Sequence, residues 1–371
     1  MNIIPLNNTT QQSRSKRATV KAKPQPPTVE KQAKASKPNT STPTTTAKRL
    51  VNTKELSRED WLQFRKQGIG SSDAAAACGI HPYLSMLELW MIKTGRMTSD
   101  IDDSATNIDG YSPLYWGTTL EPMVAKYYQA HTGNKVRRVN AILQHPDPEQ
   151  HFMLANLDYA VVGNEEVQIL ECKTAGEHGA KLWKHGVPLY VTCQVQHQLA
   201  VTGKQAAHIC VLLCGHEAKI YKVERDEQLI NSILWHERLF WQYVETDTPP
   251  TPDHSESAAR ALKQLYPKPE TSSKVDFSSD DGANNLFEQL LSYRDYMKEL
   301  EERHDQVKHQ LQSLIKDNEI AVFEKGAISW KRSKDSVSLD SKALLKAHPE
   351  LKDTFSKTRE GSRRFVILND G

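Results

Sequence analysis

Ile169-Leu170-Glu171-Cys172-Lys173-Thr174, preceded by Ala155-Asn156-Leu157-Asp158-Tyr159-Ala160, is the stretch whose reading decides the fold. Two apolar runs, Phe152 to Val162 and Val167 to Lys173, flank the turn-like Gly163-Asn164-Glu165-Glu166 and are expected to pair as a β-hairpin. Alternate residues of a strand share a face, so Glu171 and Lys173 lie side by side while Cys172 points away. Two carboxylates and an ammonium then converge among apolar neighbours. Mg2+ takes hard oxygen ligands and keeps several waters, so Asp158, Glu171 and the backbone carbonyl of Cys172 would suffice to hold one beside a phosphate. Lys173 would orient or deprotonate the attacking water. The pattern is that of a metal-dependent nuclease centre.

A Glu-x-Lys pair on a strand is also a common surface ion pair, contributing under about 1 kcal/mol. Its company decides between the two readings. Glu121 lies in an expected helix, Gly117 to His131, and Gln194 and Gln198 stand one turn apart on another, Leu189 to Thr202. Further helices fit Ser57 onward to Arg65, Ser85 to Thr94 and Glu227 to Glu245, the first two opened by serine caps. Strands fit Val136 to Gln144, Ala206 to Gly215 and Ala218 to Glu224, which gives an α/β core with a central mixed sheet flanked by helices. Thr98 to Pro113 is acidic and patternless and reads as a loop.

The chain resembles the PD-(D/E)xK nucleases of restriction-endonuclease-like fold and, within them, the lambda-exonuclease-like YqaJ viral recombinase family. The resemblance spans Trp61 to Gly203. It rests on Arg65 through Gly79 (RKQGIGSSDAAAACG), Trp116-Gly117-x-x-Leu120-Glu121-Pro122, Asn156-Leu157-Asp158, Leu170-Glu171-Cys172-Lys173 and Cys193-Gln194-Val195-Gln196. It implies that Asp158 and Glu171 bind Mg2+, for which Mn2+ could substitute. Glu121 would support that metal or a second one, and Lys173 would assist the nucleophilic water. It also implies that Arg65, Ser72 and Gln194 grip a 5′-terminal phosphate. Asn156 stands where relatives carry a serine, and its amide can still donate to a phosphate oxygen. Ser72 is expected to cap an alanine-rich helix, Asp73 to Cys78, whose free amides would form an anion site, with Arg65 forking onto the same phosphate. Partners implied are double-stranded DNA ends, an annealing protein of the RecT or Bet type and further copies of the chain, a ring-shaped trimer being the implied form.

The 371 residues include 48 Lys or Arg against 46 Asp or Glu. Residues 1 to 50 hold ten of the bases and one acid, so this tail carries +9, and 38 bases against 45 acids leave −7 on the rest. The tail is rich in Ser, Thr, Pro, Gln and Lys, a composition expected to stay disordered and able to skim a phosphate backbone. No apolar run is long enough to span a membrane and no signal-peptide core is present, so a cytoplasmic protein of a bacterial host cell is expected. Five cysteines without a CxxC pair fit a reducing compartment and read as packing residues, Cys210 and Cys214 on one strand face.

The nuclease domain is taken as 51–246 and a linker as 247–283, with a brief helical patch near Ala258 to Leu265. The C-terminal module, 284–371, combines a long helix with a small α+β piece. Leu286, Leu290, Tyr293, Met297, Leu300, His304, Val307, Leu311 and Leu314 recur in steps of four and three, a heptad seam whose single polar member is His304. Strands at Ile320 to Phe323, Ala327 to Lys331 and Arg364 to Leu368 and a helix at Asp340 to Ala347 are expected to follow, with basic clusters at Lys331 to Lys334 and Gly361 to Arg364.

The expected activity is Mg2+-dependent digestion of one strand of linear duplex DNA from its 5′ end, leaving 3′ overhangs for recombination by strand annealing. The alternatives are a structure- or site-specific endonuclease and a catalytically silent DNA-binding recombination protein.

Overall fold

Residues 47–98, 113–268, 273–358, 361 and 363–368 are described by the computed structural model. In chain order they form β1 (Lys48–Asn52), α1 (Arg58–Lys66), β2 (Ile69–Gly70), α2 (Ala74–Ala77), α3 (Met86–Lys93), α4 (Pro113–Thr132), β3 (Lys135–Arg138), β4 (Ala141–Gln144), β5 (Met153–Ala155), β6 (Tyr159–Val162) and β7 (Ile169–Ala175). There follow α5 (Glu177–Ala180), α6 (Leu189–Thr202), β8 (Ala206–Leu213), β9 (Glu217–Glu224), α7 (Glu227–Glu245), α8 (Glu256–Leu265), α9 (Asp281–Ile315), β10 (Ile320–Phe323), β11 (Gly326–Ser329), α10 (Ser341–Ala347) and α11 (Glu350–Phe355). Most of the basic tail and of the acidic loop after Thr98 lies outside the described residues. Lys48 and Arg49, within the stretch expected to be disordered tail, pair with Gln144 and Leu143 of β4, and Leu50 falls at a bulge.

The central sheet has five strands in the order β3-β6-β7-β8-β9. Only β7 and β8 are parallel, and the connection between them carries α6, as a parallel pair requires. On β7, Ile169 packs with the α6 side of the core while Leu170 packs with Val124, Ala125 and Tyr128 of α4, so successive residues face opposite layers. This is the mixed α/β sandwich expected. A smaller sheet, β1-β4-β5-β2, lies beside it in the chain path.

The two expected strands Phe152 to Val162 and Val136 to Gln144 are each broken into two, with one piece in each sheet. Asn156-Leu157-Asp158 is the first crossing. Its backbone groups are satisfied outside any ladder: the Asn156 carbonyl accepts from Ser71 and Gln198, and the Asp158 carbonyl accepts from the Val139 amide at 3.1 Å. The crossing delivers Asp158 to the edge of the β6–β7 hairpin.

α6 is buried almost all round, as befits a helix lying between two packed layers. Its polar residues are therefore paired. Gln196 bonds the Glu224 carbonyl and the Asp226 amide, and His197 bridges Glu237 at 2.7 Å and the Leu154 carbonyl at 2.8 Å. Gly203, at φ +67°, ends the helix in the left-handed conformation that glycine adopts without strain.

Helices α1 and α3 start at Ser57 and Ser85, whose hydroxyls accept from Asp60 and Glu88 as the sequence indicates. Ser72 does not cap α2. Asp73 holds the N-cap position without a side-chain cap bond, because its carboxylate is taken by Arg65, Lys93 and the Gly70 amide. Cys214 is exposed in the β8–β9 turn at φ +50°, not on the core face with Cys210. Within the stretch read as linker, α8 packs on α3: Ser257 bonds Ser85 and Glu88, and Arg260 reaches Glu88 at 3.0 Å. At the C-terminus β11 ends at Ser329, residues 363–368 form no strand, and α11 was not foreseen.

Candidate active site

β7 carries the centre of the site. Glu171 is 2% exposed, and its oxygens are held from three sides. Lys173 Nζ donates to Oε1 at 2.7 Å, Gln194 Nε2 to the same oxygen at 2.6 Å, and Gln198 Nε2 to Oε2 at 2.7 Å. Lys173 also donates to Gln194 Oε1 at 3.0 Å. One turn of α6 thus presents two amides to one strand carboxylate, which is what residues four apart on a helix can do. Asp158 Oδ2 accepts the backbone amide of Cys172 at 2.8 Å, which locks the crossing loop to β7. The Cys172 side chain packs toward the α4 layer, as strand alternation requires.

The charges here do not balance. Burial and then the Glu171 charge push the Asp158 carboxyl well above the ordinary carboxylate range, with Lys173 opposing and Glu121 adding to the rise. Burial would depress the Lys173 ammonium, but Glu171 and Asp158 more than offset it and its pKa sits above the usual lysine value. Glu121 reaches in from α4 beside Arg138, at 3.0 Å, without hydrogen-bond alignment at Oε1. Burial raises its pKa, Arg138 opposes and Glu171 adds to the rise.

Asp158, Glu171, Lys173 and Gln194 line a cavity of about 640 Å3 together with Arg65, Ser72 and Asn156. All seven were named from sequence, and the structure brings them together. Glu121 and Cys172 are not among the lining residues. Arg58, Trp61, Ser71, Tyr115, Thr118 and Thr119, which sequence reasoning passed over, complete the wall. The Arg58 and Arg65 guanidinium groups both lie over the Trp61 ring, 4.9 Å and 5.0 Å from its centre. The spacing Arg58, Trp61, Arg65 is that of one helix face and was the available signal. Arg65 is oriented by Asp73 at 2.5 Å and Ser72 at 3.1 Å, and Asp73 is also bonded by the buried Lys93 at 2.7 Å. Burial opposes ionisation of Asp73, yet Arg65 and Lys93 hold its pKa far below normal.

The donor set fits a hard divalent cation. Two carboxylates share a partly desolvated cavity wall with one ammonium, and the resulting repulsion is what a cation would relieve. Among the described residues no group of three His, Cys, Asp or Glu side chains is gathered tightly enough to cage a metal alone. Asp158 and Glu171 would therefore need a carbonyl and water to complete the shell, in the manner of Mg2+ sites.

Residues 60–205 match the YqaJ-like viral recombinase domain. The uncharacterized protein YqaJ of Bacillus subtilis (strain 168) is 33% identical over 324 residues, covering 86% of this chain and 96% of that one. A match of that extent includes α9 wherever it begins. Among solved structures, an alkaline exonuclease (LHK-Exo) from Laribacter hongkongensis aligns over 56% of this chain and 99% of its own at 22% identity, with a TM-score of 0.41. A phage-related exonuclease from Haemophilus somnus 129PT aligns over 50% and 99% at 12% identity, with a TM-score of 0.33. The extent and identity of the Bacillus match establish that the chain belongs to the YqaJ-like viral recombinase family.

Proposed function

We propose that the chain is a Mg2+-dependent deoxyribonuclease that shortens one strand of linear duplex DNA from its 5′ end and leaves a 3′ overhang for strand annealing. The observation that carries this reading is the placement of Asp158, Glu171 and Lys173 in one cavity with Arg58, Arg65 and Ser72. An acidic end suited to a cation adjoins a basic end suited to a phosphate.

Asp158 and Glu171 would hold the metal with the Cys172 carbonyl, and Glu121 would act through water or a second ion. The cation, when bound, polarises the phosphodiester and lowers the pKa of its water. Gln194 and Gln198 fix the Glu171 carboxylate so that it does not reorganise on binding. Lys173, protonated between Glu171 and Gln194, can donate to the attacking water or to a non-bridging phosphate oxygen. Arg65, already oriented by Asp73, offers its remaining donors to a terminal phosphate. Chain ends of duplex DNA, a single-strand annealing partner and a ring of subunits are the corresponding partners.

Digestion of 5′-labelled linear duplex beside closed circular duplex, with and without Mg2+, tests this reading. Mononucleotide release from the linear substrate alone, only with Mg2+, is expected. Cleavage of the circle would identify an endonuclease, and no cleavage of either a silent DNA-binding protein.

A further inference from the structure

We propose that α9 pairs antiparallel with α9 of a second copy of this chain, in one register selected by charge. The helix has 35 residues, about 50 Å at 1.5 Å per residue. Its seam is open: Leu286, Tyr293, Met297 and Leu300 are 45–69% exposed. An exposed stripe repeating in steps of four and three is a narrow seam suited to one neighbouring helix.

The flanking residues choose the neighbour. In a parallel pair, Arg303 of one helix falls beside Lys308 of the other, twice, and His304 faces His304. In the antiparallel register that sets Met297 against the partner's Leu300, Arg294 meets the partner's Glu301 and Arg303 meets the partner's Tyr296, with no like charges opposed. The same register places Tyr293 opposite the partner's His304, giving the one polar seam residue a hydroxyl. Sliding by one heptad in either direction opposes like charges, Glu301 to Glu301 in one case and Arg294 to Arg294 in the other. One arrangement therefore satisfies the seam and both flanks.

The C-terminal end of α9 supplies a second observation. The β10–β11 hairpin and α9 enclose a cavity of about 460 Å3 lined by Val307, Leu311, Ile315, Ile328 and Trp330 among others. The chosen register sets the partner's Leu290 against Val307 and the partner's Leu286 against Leu311. Phe287, 48% exposed, falls on the flank facing Lys308, which also lines that cavity. The apolar start of one helix thus fills the apolar hollow at the end of the other, twice by symmetry, as a two-fold contact demands.

The test uses full-length protein carrying Cys214→Ser, which removes the exposed thiol. Gln289→Cys and Gln310→Cys versions are mixed and treated with a short thiol cross-linker. The antiparallel register is expected to give a 289-to-310 product and little product from either protein alone. Efficient 289-to-289 coupling would show a parallel pair, and no coupling above background would show that something else covers the face; either result overturns the proposal. In sedimentation, Arg294→Glu or Glu301→Arg is expected to weaken the helix-mediated association about tenfold, since two ion pairs become two repulsions. The double swap is expected to restore it. Single and double variants that associate alike would also overturn the register.

Discussion

Asp73 and Asp158 are both enclosed aspartates near one cavity, and their surroundings drive them in opposite directions. Asp73 faces two cations, Arg65 and Lys93, and its pKa is lowered despite burial. Asp158 faces two carboxylates and one ammonium, and its pKa is raised by burial and by Glu171. Asp73 sits in a cluster whose charge is compensated, so it is an orienting group for Arg65. Asp158 sits in a cluster short of positive charge, which is the condition for recruiting a cation. The cavity that Arg65 and Asp158 both line is therefore electrically polarised before anything binds.

Substitution breaks this comparison most sharply at Asp158. Asp158→Ala is expected to reduce cleavage by at least about a thousandfold while DNA binding survives, as for loss of a group that stabilises transition-state charge. Single-turnover digestion beside a binding isotherm reads both. Cleavage within a few-fold of the parent would remove Asp158 from the metal centre. The next effect belongs to Asp73. Asp73→Asn leaves Arg65 and the buried Lys93 without their counter-charge and is expected to lower unfolding stability by about 3–5 kcal/mol. Denaturant unfolding measures it, and a loss under 1 kcal/mol would mean the pair is a surface-like contact.

Arg65→Ala removes the guanidinium that faces the proposed phosphate. Digestion of 5′-phosphorylated ends should slow by about 1.5–3 kcal/mol of lost charge-assisted bonding more than digestion of 5′-hydroxyl ends. Equal slowing of both substrates would make Arg65 a structural or general backbone contact.

The smallest effect is in pH, where the two aspartates should give opposite slopes in metal-free protein. With its folded pKa lowered, Asp73 contributes stability that is present above 3.8 and is lost as pH falls below that value. With its folded pKa raised, Asp158 contributes stability that is complete below 3.8 and is lost as pH climbs through its folded pKa. Asp158→Asn should flatten the upper slope and Asp73→Asn the lower, in unfolding curves recorded with EDTA. Slopes unchanged by either substitution would show that other groups dominate.

Much of the site was legible because its residues sit in local patterns. Glu171 and Lys173 share a strand face by alternation, and Gln194 and Gln198 share a helix face by their spacing. The Asn156-Leu157-Asp158 crossing was hidden, since a continuous apolar run gives no sign that its two halves join different sheets. Ser72 was misread as a cap for a related reason. The competitor for that position, Asp73, is set by Lys93, a residue whose proximity comes only from tertiary packing. Lys93 stands in the last turn of α3 and is only 6% exposed. The α9 seam was read correctly as a helix, and its lack of a cover in a single chain could be seen only in three dimensions.

Crystals soaked in Mn2+ and measured for its anomalous signal test the central claim most directly. A peak in contact with both the Asp158 and Glu171 carboxylates, lost in Asp158→Asn crystals, is the expected result. A peak elsewhere in the molecule with none between these two residues would contradict the account, because the charge imbalance on β7 would then have some purpose other than holding a cation.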